Sequence, residues 1–77
     1  MNATTAAIIA LLPKKPILIP AEIAAAYGLA GPTAILADIK TGKLAANIIN
    51  GRYLVARAEA ERYAEANEYT PDEGTLP

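Results

Sequence analysis

The stretch Leu44-Ala45-Ala46-Asn47-Ile48-Ile49-Asn50-Gly51-Arg52-Tyr53-Leu54-Val55-Ala56-Arg57 decides how this chain is read. Two short apolar runs rich in β-forming residues flank Asn50-Gly51. That dipeptide suits a two-residue type I′ turn, in which both central positions need positive φ. The expectation is a β-hairpin with Arg52 at its tip. A two-residue turn sets the cross-strand pairs Ile49–Arg52, Ile48–Tyr53, Asn47–Leu54 and Ala46–Val55. Side chains alternate across a sheet, so Ala46, Ile48, Tyr53 and Val55 share an apolar face. Asn47, Ile49, Arg52 and Leu54 share the other, mixed face.

Upstream, Pro20-Ala21-Glu22 opens a helix, with Pro suited to the first helical position and Glu22 to the positive end of the dipole. Ile23, Ala26, Tyr27 and Leu29 are spaced for one buried face, and Gly28 sits where a left-handed cap belongs. Ala30-Gly31 makes a tight turn. Pro32 starts a second helix whose Ile35, Leu36 and Ile39 face the core. Gly42 ends it, with Lys40 and Lys43 at its negative end. Downstream, a third helix is expected over 58–67, with Ala60, Tyr63, Ala64 and Asn67 on one face. Arg57–Glu61 and Glu59–Arg62 are expected as exposed pairs.

Ahead of these elements, Thr4 or Thr5 caps a short helix over 6–12, ended by Pro13. Ile17-Leu18-Ile19 is a brief extended run that either pairs with the hairpin as a third strand or packs beneath it. From Glu68 onward, Pro, Gly, Thr and acidic residues read as a flexible tail. The expected organisation is a short helix and linker over 1–16, one folded domain over 17–67 and an acidic tail over 68–77. The fold class is mainly α with a small β-hairpin.

Composition narrows the function. The chain has 77 residues and contains no Cys, His, Phe or Trp. A chain this short buries about 60–65% of its unfolded surface, so its core is small. Without Cys, disulfides and thiolate metal sites are excluded, and without His the commonest general base and zinc ligand is missing. Glu59, Glu61 and Glu65 then read as a solvated helix face rather than acid–base machinery. No phosphate-cradling glycine loop, nucleophile elbow or metal-ligand spacing occurs. No cofactor, metal or catalytic residue is expected, and the chain is read as a non-enzyme.

The net charge of −1 conceals a split. Residues 1–57 carry Lys14, Lys15, Lys40, Lys43, Arg52 and Arg57 against Glu22 and Asp38, a balance of +4. Residues 58–77 carry Arg62 against Glu59, Glu61, Glu65, Glu68, Asp72 and Glu73, a balance of −5. Such asymmetry suits a basic working surface with an acidic end. The apolar run over 6–12 is too short to span a membrane, and Lys14-Lys15 follow it, the wrong order for a secretory signal. A cytoplasmic location without membrane attachment is the expectation.

Pro20-Ala21-Glu22-Ile23-Ala24, Tyr27-Gly28-Leu29, Thr33, Gly42-Lys43-Leu44-Ala45-Ala46, Asn50-Gly51-Arg52-Tyr53 and Arg57-Ala58-Glu59-Ala60 follow one another in an order that resembles the phage excisionase and MerR-like winged helix-turn-helix family. The resemblance covers about residues 17–66. It implies a double-stranded DNA partner, with the second helix in the major groove and the hairpin wing on the flanking backbone or minor groove. By position, Thr33, Ala34, Ala37 and Lys40 would face the groove, Lys43 would stand at the helix end, and Arg52 would be the wing contact on a turn shaped by Asn50 and Gly51. It also implies several copies on adjacent sites, and a role in excision beside an integrase or in transcription. The second helix carries no Arg, and Asp38 adds a negative charge there. These features favour the alternative, an interaction module that binds a host protein. A small-terminase-like DNA-recognition domain is a third reading.

Residue by residue, two uses stay open. Arg52 is a phosphate contact or a solvated turn residue; Lys40 and Lys43 bind phosphate or complement the helix dipole. Lys14-Lys15 reads as a solvated linker. Tyr27, Tyr53 and Tyr63 read as core aromatics in a chain without Phe.

Overall fold

The turn forms as the Asn-Gly dipeptide requires, with Asn50 at φ 51° and Gly51 at φ 76°. In the computed structural model, which describes residues 1–69, the elements are α1 (Ala3–Leu11), β1 (Ile17–Leu18), α2 (Pro20–Ala26), α3 (Thr33–Lys40), β2 (Asn47–Ile49), β3 (Arg52–Ala56) and α4 (Arg57–Ala66). The three strands make one antiparallel sheet in the order β1-β3-β2. The expected tail falls largely outside the described residues.

The hairpin register is Asn47–Leu54, Ile48–Tyr53 and Ile49–Arg52. The fourth expected pair, Ala46–Val55, is not part of the ladder. Beyond Leu54 the strand β3 pairs on its other side with β1, as Leu18–Val55 and Ile17–Ala56. The open choice for Ile17-Leu18 thus resolves to a third strand, and the fold is mixed α and β rather than mainly α. Leu18 and Val55 are fully buried on the inner face of the sheet.

Helices α2 and α3 end by the same device. The Leu29 N–H donates to Ala24 O and the Gly28 N–H to Ala25 O, both at 3.0 Å. The Lys43 N–H donates to Asp38 O at 2.8 Å and the Gly42 N–H to Ile39 O at 3.1 Å. These are paired Schellman bonds, and they need a left-handed residue in the middle, here Gly28 and Gly42 at φ 73° and 84°. The start of α2 is half a capping box. Glu22 accepts the Ile19 N–H at 3.0 Å, but Ile19 has no side-chain acceptor to return the bond.

Four expectations about α1 and α4 are corrected. Helix α1 begins at Ala3, and its cap is Asn2, whose Oδ1 accepts the Thr5 N–H at 2.8 Å. Thr5 itself is buried. Helix α4 starts and stops one residue early, and Asn67 lies outside the core, donating from Nδ2 to Tyr63 O at 2.8 Å. Arg57 is not a simple surface partner of Glu61, because its side chain is only 23% exposed.

The core unites Leu12, Leu18, Ile23, Ala24, Ala26, Ile35, Leu44, Val55, Ala60 and Tyr63. Ile8, Tyr27, Ile39 and Ala46 pack on it. Of the expected core residues, Leu29 is exposed and Leu36 and Tyr53 are half-buried. Ile48 is 60% exposed although it shares the inner face with Val55, because the hairpin reaches beyond the helices that cover its base. No helix among the described residues is long and apolar enough to cross a membrane.

Candidate nucleic-acid interface

The outer side of α3 is open. Thr33, Ala34, Ala37 and Lys40 are all exposed, while Ile35 is buried against α2 and the core. The spacing accounts for this division, since positions three and four apart share a helix face. The eight residues of α3 span about 12 Å.

The hairpin tip lies beside the first turn of α3. A shallow cleft of about 340 Å³ is lined by Pro20, Ala21, Pro32 and Leu36 on one side and by Gly51, Arg52 and Tyr53 on the other. Arg52 therefore stands near the N-terminus of α3, and Lys40 and Lys43 stand at its C-terminus. Asn50, Gly51, Arg52 and Lys43 are exposed, like Lys40. The expected site residues thus share α3 and its two ends, but the three cations form two separate positive points, not one continuous ridge. None of Lys40, Lys43 and Arg52 has a side-chain hydrogen bond or ion pair among the described residues.

Of the other cations, Lys15, Arg57 and Arg62 are engaged. Lys15 pairs with Glu22 at 2.6 Å, and this bond, with the Ile19 N–H behind it, lowers the Glu22 pKa. Arg57 donates from Nε to Pro13 O and from Nη2 to Ile9 O, each at 3.0 Å, and from Nη1 to Glu61. Its own backbone N–H donates to Pro16 O at 2.8 Å. One residue thus ties the chain from α1 to β1 onto the start of α4.

Glu59 and Arg62 grip the connection between α3 and the hairpin. Glu59 accepts from Arg62 at 2.6 Å and from the Ala45 N–H at 3.0 Å, and Arg62 also donates to Lys43 O at 3.2 Å. The Arg62 bond first, and the Ala45 bond second, hold the Glu59 carboxyl at about 2. Tyr63 donates its hydroxyl to Asp38 on α3. Burial first, and then Asp38, push the Tyr63 pKa up. Tyr27 meets Tyr63 edge-on at 6.0 Å between ring centroids, and burial raises its pKa too.

Sequence reasoning named Arg57, Glu59 and Arg62 only as surface pairs. Their i,i+3 and i,i+4 spacing was visible, but their backbone partners Ile9, Pro13, Lys43 and Ala45 are remote in sequence and carry no local signal. Asp38, read as a repulsive charge on a reading helix, is turned inward to Tyr63.

Comparison of the chain with protein-family models, with curated proteins and with solved structures gives no match.

Proposed function

We propose that this chain is a small, non-enzymatic DNA-binding protein of winged helix-turn-helix type, acting as an excisionase-like recombination factor or a transcriptional regulator. One observation carries the reading. An eight-residue helix presents a small-residue face of Thr33, Ala34 and Ala37, with cations at both ends that have no partner among the described residues. The B-DNA major groove is about 12 Å wide, which matches the diameter of an α-helix, and phosphates line both of its walls. Lys40 and Lys43 would meet one wall and Arg52 the other. Ala34 and Ala37 would lie close to base edges and touch thymine methyls, which gives weak sequence discrimination.

Three phosphate contacts imply that log affinity falls with log salt at a slope near −3. Fluorescence anisotropy of a labelled duplex from low to moderate salt measures it. Arg52→Ala lowers the magnitude of the slope by about one. Absence of binding to any duplex at low salt ends the proposal, as does a slope that Arg52→Ala leaves unchanged.

The lack of Arg on α3, together with exposed Ile48 and Ile49 on the hairpin, favours a second reading, a module that binds another protein through the same surface. Capture from nuclease-treated lysate separates the two, because a partner held through DNA is lost.

A further inference from the structure

The two edges of the sheet are treated differently. The edge strand β1 is bracketed by Pro16 and Pro20 and preceded by Lys14 and Lys15, residues that discourage another strand from adding there. The edge strand β2 has no such protection. Its three residues, Asn47, Ile48 and Ile49, are uncharged, unbulged and all exposed, with Ile48 at 60% and Ile49 at 56%. Both isoleucines stand in water on opposite faces of the same short strand.

Which backbone groups are open follows from the turn. In a hairpin closed by two residues, the flanking pair, here Ile49 and Arg52, exchanges both backbone hydrogen bonds. Alternation then turns the N–H and C=O of Ile48 away from β3. No turn, loop or cap bond reaches them among the described residues. Ile48 is the one β2 residue whose donor and acceptor both face the free edge.

We infer that β2 is a self-pairing edge, on which a second copy of this chain adds its own β2 antiparallel about a two-fold axis at Ile48. Among pairings of β2 residues alone, that register is the one that joins open groups to open groups. Ile48 of each copy donates to and accepts from Ile48 of the other, and Asn47 lies opposite Ile49 of the second copy on the other face. The result is a continuous six-stranded sheet. A second copy fits this edge for two reasons. Identical uncharged strands meet with no like charges opposed, and each isoleucine removed from water is covered by a residue of the same strand. The inference does not rest on DNA binding. An interface this small is transient.

Because the chain contains no cysteine, the register can be read covalently. Asn47→Cys and Ile49→Cys are prepared as separate full-length variants, at exposed positions, and oxidised alone and as an equimolar mixture. The expected result is a covalent dimer several-fold more abundant in the mixture than in either alone. In parallel, sedimentation equilibrium of the unmodified chain up to about 1 mM is expected to show a monomer–dimer equilibrium. Ile48→Lys, on an exposed side chain, weakens it at least tenfold while leaving the circular dichroism unchanged. A monomer throughout overturns the inference. So does a dimer insensitive to Ile48→Lys, equal cross-linking in all three samples, or an edge that accepts an unrelated extended peptide but no second copy.

Discussion

The two sides of the α3–hairpin unit use charge in opposite ways. On the side facing α4, every charged group of the local network has a defined partner. Arg57 holds Ile9, Pro13 and Glu61; Glu59 and Arg62 hold Lys43, Ala45 and each other. On the outward side, Lys40, Lys43 and Arg52 hold nothing among the described residues. The sequence balance of +4 over residues 1–57 therefore overstates the positive surface on offer. Lys15 and Arg57 are already paired, and among the described residues the cations of this stretch without a partner are Lys14 and those at the two ends of α3. Charge that builds the molecule and charge that is available to a partner are separated by one helix.

The contrast breaks first at Arg57. Arg57→Ala removes three donor interactions, two of them from a charged group to half-buried carbonyl sites, and should destabilise the chain by about 2–3 kcal/mol. Urea unfolding measures this, and a loss below about 0.5 kcal/mol would mean that the inward network is decorative.

Acid should weaken the inward side next. Glu59 sits at about 2 in the folded chain against 4.5 as a free group, and Glu22 is also lowered. The unfolded chain takes up these protons first, so the contribution is full above 4.5 and is lost as pH falls towards about 2. Urea midpoints followed through that window should decline, and Glu59→Gln should flatten the decline. An unchanged pH profile in that variant would assign the effect elsewhere.

The smallest effect belongs to the outward side. Arg52→Ala, Lys40→Ala and Lys43→Ala should each shift stability by no more than about 0.5 kcal/mol, since none of the three has a partner among the described residues. Thermal unfolding checks this, and a drop as large as that of Arg57→Ala would erase the distinction between the two sides.

What could be read in advance follows from the range of each interaction. The three hairpin pairs nearest the turn, the Gly28 and Gly42 helix ends and the Pro20 helix start are set by local sequence and stand as expected, whereas the fourth pair, Ala46–Val55, does not form. The seat of Ile17-Leu18 depends on Val55 and Ala56, and the depth of Arg57 depends on Ile9 and Pro13, so neither could be reached from local pattern. The shift of the α1 start has a local cause that was overlooked: Asn2 caps as well as Thr does and lies one turn earlier. At the candidate site Thr33, Ala34, Ala37 and Lys40 come from the family resemblance, and their exposure agrees with the helical spacing that turns Ile35 inward. The separation of Arg52 from Lys40 and Lys43 depends on which end of α3 the hairpin approaches, a tertiary choice with no trace in the spacing.

Strand β1 lies beside β3 although 33 residues separate Leu18 from Arg52 and two whole helices intervene. Those helices leave the sheet and return to it like a drawer set in a cabinet. Only their inner residues, Ile23 and Ile35 foremost, must match the frame. The outward positions of the drawer are thereby free to be rewritten for a new partner while the cabinet keeps its shape.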